Sequence, residues 1–464
     1  MLGLSFSSIR DIFRTGHTDD VTDLRGSLAR LAVPIFIEVL LVMMLGAVDT
    51  FMLSRYNDVS VAAVGVVNQI VMFVFLIFQV VNIGTSVLCS QYIGARQTDK
   101  LATVVGVALF VNLLIGIFLS AFLHFGDRMV LGWMGLEGEL MQEGSAYLKI
   151  VGAFAFFQAI SMTLSAALRS ADKAVYPMLV SLVVNILNIV GNYSLIFGRL
   201  GMPALGVEGA AISTSLCRGV SMLMMWIFVH KYLIPSFPLR LFRPFPWREL
   251  GKLLRIGLPS AGENASYDAS QIVITYFINM IGVDALVTRS YCVNMIMFVY
   301  LFCISIAQGG AICIGRLVGA GRNHAAYLCG KYVMKKAVGF TLLFSLILAI
   351  SGPFVVPLLT DNTIVINLAC TILWVDVLLE VGRPINIYAT AALRSAGDVY
   401  YPFYVGVIVQ WLVAVGIGYV LGVSLMFGIV GMWVAFVLDE NIRGIIFVRR
   451  WNSRKWMNKA FVNR

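Results

Sequence analysis

The chain has 464 residues, of which 59% are hydrophobic and only 12% are charged. These proportions exclude a soluble globular protein, because too few polar residues remain to cover its surface, and they indicate an integral membrane protein. The formal net charge of +10 would favour a nucleic-acid partner in a soluble protein, but in a membrane protein basic residues also orient the loops, so we expect no nucleic acid.

Residues 1–27 carry acidic and basic side chains without a short apolar core, so we predict a cytoplasmic N-terminal segment rather than a removable signal peptide. The first apolar run, 28–53, is long enough to cross a bilayer and contains Pro34, Glu38 and Asp49. A carboxylate at membrane depth costs at least ~2.5 kcal/mol, so such residues usually line water or a site buried in protein. The helical repeat places both carboxylates on one face.

Further apolar runs of similar length follow along the chain, each near the roughly 20 residues that span a bilayer. They predict an all-α integral membrane protein with twelve transmembrane helices, at 28–53, 60–91, 102–124, 145–168, 174–198, 206–232, 253–281, 285–315, 332–358, 364–393, 400–424 and 428–448.

Basic residues cluster in alternate connections between these runs, including the segment from Lys231 to Arg255 and the tail from Arg449 to Arg464. The positive-inside bias then places both termini in the cytoplasm. We therefore expect a multi-pass protein of a prokaryotic cytoplasmic membrane.

The seven cysteines form no C-x-x-C pair, and the four histidines lie at or beyond the ends of the spans. We interpret the cysteines as packing residues and expect no cofactor other than a coupling ion. This pattern also disfavours an enzyme, because no histidine or cysteine pair lies at membrane depth.

The second half of the chain repeats the first at a constant offset of 225 residues. The segment Ala167–Ala171, for example, returns as Ala392–Ala396. Such a repeat predicts two homologous six-helix bundles, inserted in the same direction and related by a pseudo-twofold axis along the membrane normal. Other matched pairs are Pro34 with Pro259, Glu38 with Glu263, and Arg218 with Arg443.

The predicted organisation is an N-lobe at 28–232 and a C-lobe at 253–448, joined by a proline-rich cytoplasmic linker at 233–252. A basic cytoplasmic tail, 449–464, follows the C-lobe. Two such bundles can enclose a central cavity that opens to one side, which is the architecture of secondary transporters.

Several short motifs occur in one order along nearly the whole chain: Gly46–Thr50 with Pro34 before it, Gln91–Ala95, both Leu-Arg-Ser-Ala copies, Leu187–Tyr193, and the glycine-rich stretch that leads to Thr214. Through these motifs the chain resembles the multidrug and toxic compound extrusion (MATE) family of antiporters.

The resemblance implies a cation-coupling site in the N-lobe, formed by Asp49, Asn188, Asn192 and Thr214. Some members carry an aspartate where Asn192 stands, so both H⁺ and Na⁺ remain open as the coupling ion. Na⁺ at Asp49 is the one metal ion that we consider. The plainer interpretation of Asp49, a hydrated residue at the outer end of a helix, is disfavoured by the cost of charge in a membrane.

The C-lobe departs from the pattern of the well-known sodium-coupled bacterial members. Their seventh-span glutamate falls on Tyr267, and their tenth-span aspartate falls on Arg383. Asp376, Glu380 and Arg383 share a helix face. Glu380 can pair with Arg383 and leave Asp376 and Asp268 as negative charge that attracts lipophilic cations. The alternative is a structural ion pair between neighbouring helices.

Pro34 and Pro259 are each followed four residues later by a glutamate, Glu38 or Glu263. Since the repeat relates the two glutamates, one explanation should serve both. We favour a gating or structural role, such as pairing with a base, over direct ion coupling, because long side chains near the interface reach water.

The sequence thus predicts a monomeric antiporter, surrounded by lipid, that exports bulky, mostly cationic amphipathic compounds in exchange for H⁺ or Na⁺. Two alternatives stay open. A flippase of lipids or lipid-linked oligosaccharides from the same superfamily would need cationic groups for phosphate, whereas these candidate sites are acidic. A membrane-embedded enzyme would need a nucleophile beside a base.

Overall fold

The structure, a computed structural model, describes residues 19–235 and 244–462. Within these ranges every regular element is helical. Three parts of the predicted cytoplasmic regions lie outside the described residues, namely 1–18 of the N-terminal segment, 236–243 of the linker and 463–464 of the tail.

The first half of the chain contains α1 (Asp19–Ser54), α2 (Asp58–Gly94), α3 (Thr98–Phe125), α4 (Asp127–Trp133), α5 (Gly138–Ala153), α6 (Ala155–Ser170), α7 (Val175–Phe197) and α8 (Gly206–Tyr232). The second half contains α9 (Trp247–Ile281), α10 (Val283–Gly319), α11 (Asn323–Val355), α12 (Thr363–Ser395), α13 (Tyr400–Val409) and α14 (Gly428–Asn452). A 3₁₀ turn, Val356–Leu358, extends α11, and two π-helical segments follow α13, Gln410–Ile417 and Val420–Ser424.

Nine helices of the described chain are long and apolar enough to cross a membrane, and α5 with α6 makes one further span that is bent by 47°. Two more helices, α9 with 35 residues and α14 with 25, have the length of a span but carry more ionisable side chains. Together they confirm the predicted all-α fold with twelve spans.

The bend between α5 and α6 lies at Phe154, whose backbone (φ −109°, ψ 18°) leaves the helical region. The sequence predicts one continuous helix over 145–168, because the apolar pattern runs through this point. Ser120 makes the break tolerable, since its Oγ accepts the backbone N–H of Phe156 at 3.2 Å. A freed backbone N–H needs such a partner at membrane depth.

The chain forms two compact units, which we call the N unit (37–93 and 97–261) and the C unit (the described residues of 1–36, with 94–96 and 262–462). The core of the N unit includes Leu53, Val67, Phe78, Leu148 and Ile196. The core of the C unit includes Ile274, Ile296, Leu373, Met432 and Trp433.

The first helix of each repeat changes unit near a proline. Helix α1 belongs to the C unit as far as Phe36, and α9 belongs to the N unit as far as Ala261. Each boundary lies two residues after a proline inside the helix, Pro34 or Pro259. Proline removes a helical hydrogen bond and provides a point where a helix bends.

The start of α9 packs closely on α2 within the N unit. A Cβ atom on Gly84 would lie 2.6 Å from the carbonyl oxygen of Leu253, and Gly257 lies directly against the backbone of Val80. These glycines allow the two backbones to approach closely, as small residues do between membrane helices.

A polar cluster closes this contact at the end of α2. Tyr92 donates its hydroxyl to Glu249 Oε2 at 2.6 Å, and Lys252 Nζ donates to the Tyr92 hydroxyl oxygen at 2.7 Å. Lys252 also pairs with Glu249 Oε1 at 2.9 Å. Both residues of α9 therefore tie its first turns to α2.

The C unit holds the corresponding segment of α1. A Cβ atom on Gly309 of α10 would lie 3.2 Å from the backbone nitrogen of Ala32. Phe36 stacks on Phe302 with ring centroids 4.1 Å apart. The contact of α1 with α10 therefore repeats that of α9 with α2, with a wider gap at the glycine.

Candidate functional site

Three helices of the N unit bring together the residues that the sequence predicts as a cation-coupling site. Asn192 of α7 donates its amide to Asp49 Oδ1 of α1 at 2.5 Å and to Asn188 Oδ1 at 3.1 Å. Asn188 in turn donates to Thr214 Oγ1 of α8 at 3.5 Å. The four-residue spacing of the asparagines puts both on one face of α7, which is why they act together.

Oxygen atoms dominate this site. Asn188, Asn192 and Thr214 are buried, whereas Asp49 is half-buried. The side-chain oxygen of Asn192 is buried and has no hydrogen-bond partner among the described residues. Carboxylate, amide and hydroxyl oxygens are the ligands that hard cations prefer, and a carboxylate also exchanges a proton. The arrangement therefore suits H⁺ or a small hard cation. Within the described ranges, no three His, Cys, Asp or Glu side chains form a metal cluster.

A basic residue that the sequence analysis did not assign to this site, Arg218, lies one turn beyond Thr214 on α8. Its guanidinium carbon is 5.4 Å from the centre of the Phe75 ring. Asp49 and Tyr147 lie within range of its charge. The match of Arg218 with Arg443 in the repeat was the available signal, but nothing in it indicated proximity to Asp49.

Each repeat also contains an ion pair that follows its proline. Glu38 of α1 pairs with Arg169 of α6 at 2.8 Å, and the Arg169 Nε donates to Ser165 at 3.0 Å. In the C unit, Glu263 of α9 pairs with Arg394 of α12 at 2.5 Å. The sequence identified both glutamates and both arginines as repeated residues, and the structure joins them in the same combination.

The carboxylates predicted on α12 surround one arginine. Arg383 lies 2.5 Å from Glu380 Oε1 and 3.5 Å from Asp376 Oδ1. Trp433 of α14 donates its indole N–H to the same Asp376 oxygen at 3.2 Å. The second oxygens of Asp376 and Glu380 are buried and accept no hydrogen bond from the part of the chain that the structure describes. The ion pairs thus form within one helix, and an uncharged donor joins it to its neighbour.

A second acidic cluster, on α14, was not predicted. Arg443 contacts Asp439 and lies 3.0 Å from Glu440. Asn386 of α12 donates to the other oxygen of Glu440 at 2.6 Å. A helix spacing of three and four residues between acid and base is the sequence signal that could have revealed it.

Two predicted C-lobe residues have different surroundings. The Tyr267 side chain is 42% exposed, and its hydroxyl lies within electrostatic range of Arg383 and Arg443. Asp268 is exposed and makes no hydrogen bond or ion pair with any residue that the structure describes. Adjacent residues of a helix point about 100° apart, so when Tyr267 faces the acidic clusters Asp268 turns away. The contribution of Asp268 to the negative charge beside Asp376 stays a prediction.

A family model described as MatE matches the chain twice, at residues 34–194 and 259–420. The chain belongs to the MATE family. The two matches begin at Pro34 and Pro259 and thus reproduce the internal repeat. Together with the apolar helices, the family assignment makes this MATE protein a multi-pass membrane transporter.

Known proteins resemble this MATE transporter over nearly its full length. The uncharacterized transporter YisQ of Bacillus subtilis is 39% identical over 449 residues, which cover 97% of this chain and 99% of YisQ. A probable multidrug resistance protein NorM of Thermotoga maritima is 25% identical and covers 96% of each chain. The crystal structure of the Vibrio cholerae MATE transporter VcmN in the bent form has the same fold, with a TM-score of 0.87, 18% identity, and coverage of 95% of this chain and 99% of VcmN.

Proposed function

We propose that this MATE transporter is a secondary antiporter that exports bulky, mostly cationic amphipathic compounds in exchange for H⁺ or Na⁺. The observation that supports it best is the chain of side chains from Asp49 through Asn192 and Asn188 to Thr214. It links α1, α7 and α8, so a cation that binds Asp49 changes how these three helices hold together. NorM, a relative along the full length, is named a probable multidrug resistance protein.

The acidic clusters of the C unit support the choice of cationic substrates. Two arginines, Arg383 and Arg443, face four carboxylates, those of Asp376, Glu380, Asp439 and Glu440. The surplus of negative charge favours a cation and disfavours the phosphate group of a lipid-linked substrate. We further propose that the protein acts as a monomer in a prokaryotic cytoplasmic membrane, with both termini in the cytoplasm.

The test is efflux of a fluorescent lipophilic cation from vesicles that contain the purified protein, with a pH gradient or a Na⁺ gradient imposed separately. We expect one gradient to drive efflux and Asp49→Asn to abolish that dependence. Asp361→Asn, which neutralises an exposed loop carboxylate, is the matched control and should behave as the natural protein does. Ion-coupled efflux that survives Asp49→Asn, or lipid transfer without any ion dependence, would contradict the proposal.

A further inference from the structure

Arg218, in the half of the protein that contains the proposed coupling site, forms no direct ion pair with any residue that the structure describes. Its Nη1 atom is buried and has no hydrogen-bond partner. Its guanidinium carbon lies 5.4 Å from the centre of the Phe75 ring. The Arg218 side chain as a whole is half-buried. Partial removal of a charge from water is costly, so a nearby negative charge would stabilise this position.

Asp49 supplies that negative charge. Among the groups described around Arg218, the electrostatic partners are Asp49 and the hydroxyl of Tyr147, and only Asp49 is a carboxylate. The charged and titratable groups that face Asp49 are likewise few, with Tyr147 from α5 and Cys217 and Arg218 from α8. Asn192 of α7 adds an uncharged hydrogen bond.

The repeat shows how Arg218 comes to depend on Asp49. Its counterpart Arg443 contacts Asp439, four residues earlier, and Glu440, three residues earlier, on the same helix. At the matching positions α8 carries Thr214 and Ser215, and the hydroxyl of Ser215 is buried without a partner. The N unit therefore keeps the arginine but lacks both carboxylates that would neutralise it locally.

We propose that Arg218 is the built-in countercharge of the Asp49 site, which balances the empty carboxylate and thereby weakens the hold of Asp49 on the coupling cation. This inference rests on the proposed function. When the cation is absent, Arg218 and Asp49 neutralise each other. When the cation binds, it competes with the guanidinium for the same carboxylate. The affinity is therefore kept low enough for the cation to leave on the other side of the membrane.

The first test measures the ion concentration that gives half-maximal efflux, with H⁺ and Na⁺ varied in separate series. Inside a protein, the Coulomb attraction between the Arg218 guanidinium and the Asp49 carboxylate competes with the coupling ion. Arg218→Gln removes that competition and should lower the half-maximal concentration of the coupling ion about tenfold. Arg218→Lys retains the charge and should remain within about threefold of the natural protein. An unchanged concentration in Arg218→Gln would overturn the role of Arg218, while loss of coupling in Asp49→Asn would still support the proposed function.

The second test uses thermal unfolding in detergent and needs no transport. Asp49→Asn leaves Arg218 without its countercharge and should lower the melting temperature. Adding Arg218→Gln to that variant should bring the melting temperature most of the way back to that of the natural protein, because neither charge then remains. If the two substitutions lower the melting temperature independently, Arg218 and Asp49 do not balance each other and the inference fails.

Discussion

The two halves of this MATE transporter share a helical scaffold but distribute buried charge differently. In the C unit, Arg383 and Arg443 each contact two carboxylates of their own helix. In the N unit, Asp49 is hydrogen-bonded to an amide, and Arg218 forms no direct ion pair with any residue that the structure describes. The repeat therefore keeps an arginine at the matched position of both halves, but within the described residues only the C unit places carboxylates three and four residues before it.

The largest difference between the halves in the free energy of unfolding should follow from replacing the matched arginine of each half. Arg443→Met leaves Asp439 and Glu440 buried without their cation, which should lower the free energy of unfolding by about 3–5 kcal/mol. Arg218→Met leaves Asp49 without its more distant countercharge but with its hydrogen bond to Asn192, and should lower it by a smaller amount, about 1–2 kcal/mol. Chemical denaturation in detergent measures both. Equal losses would contradict the difference between the halves.

Removing the glutamate of the ion pair that follows each proline should give a smaller difference in the free energy of unfolding between the two halves. Glu263→Gln should cost about 2–3 kcal/mol, because the Nε of Arg394 is already without a partner and its remaining charge then lacks a carboxylate. Glu38→Gln should cost about 1–2 kcal/mol, since Arg169 keeps its bond to Ser165. The same denaturation experiment ranks the two variants. A greater loss in Glu38→Gln would reverse the expected order.

The hydrogen bond of Trp433 to Asp376 tests whether the C unit needs uncharged donors as well as arginines. Trp433→Phe removes a buried donor to a carboxylate at 3.2 Å and should cost about 1.5–2 kcal/mol. Trp411→Phe is the matched control, because the exposed Trp411 side chain donates its indole N–H to Ser266 at 2.9 Å, and losing that bond should cost less than about 0.5 kcal/mol. Equal effects would show that the bond to Asp376 adds no stability.

The smallest effect concerns the glycines that lie against the exchanged helix segments. Gly84→Ala places a methyl group 2.6 Å from a backbone oxygen, so overpacking should outweigh the gain in helix propensity and leave a net loss of about 1 kcal/mol. A Cβ atom on Gly309 would lie 3.2 Å from its nearest neighbour. In Gly309→Ala the cost of overpacking and the gain in helix propensity should therefore nearly cancel. A comparison of melting temperatures decides the order, and a larger loss in Gly309→Ala would contradict it.

The sequence predicted the helices well because a membrane span must be long and apolar whatever its neighbours are. It also paired the repeated glutamates and arginines as equivalents, since the constant offset needs no tertiary information. The sequence did not predict the bend at Phe154, because the backbone N–H beyond the bend is hydrogen-bonded by Ser120 of another helix.

The charged residues were harder to place than the helices. Asp49, Asn188, Asn192 and Thr214 were grouped through the family resemblance rather than through spacing alone. The proximity of Arg218 to Asp49 depends on how α1 and α8 lie in the folded unit, which no local pattern encodes. A turn of about 100° separates the side chains of Asp268 and Tyr267, so the surroundings of one do not predict those of the other.

The exchange of segments at Phe36 and Ala261 has a consequence for biosynthesis. A ribosome completes α2 long before it reaches Leu253 and Gly257. The surface of α2 beside Gly84 therefore has no α9 packed on it until the second half is translated. Conversely, the stretch of α1 that belongs to the C unit is made well before α10 and lacks its partner helix until α10 is translated. Two fragments severed between residues 235 and 244 would each lack a piece of their own unit, and should assemble only when both are produced in the same cell.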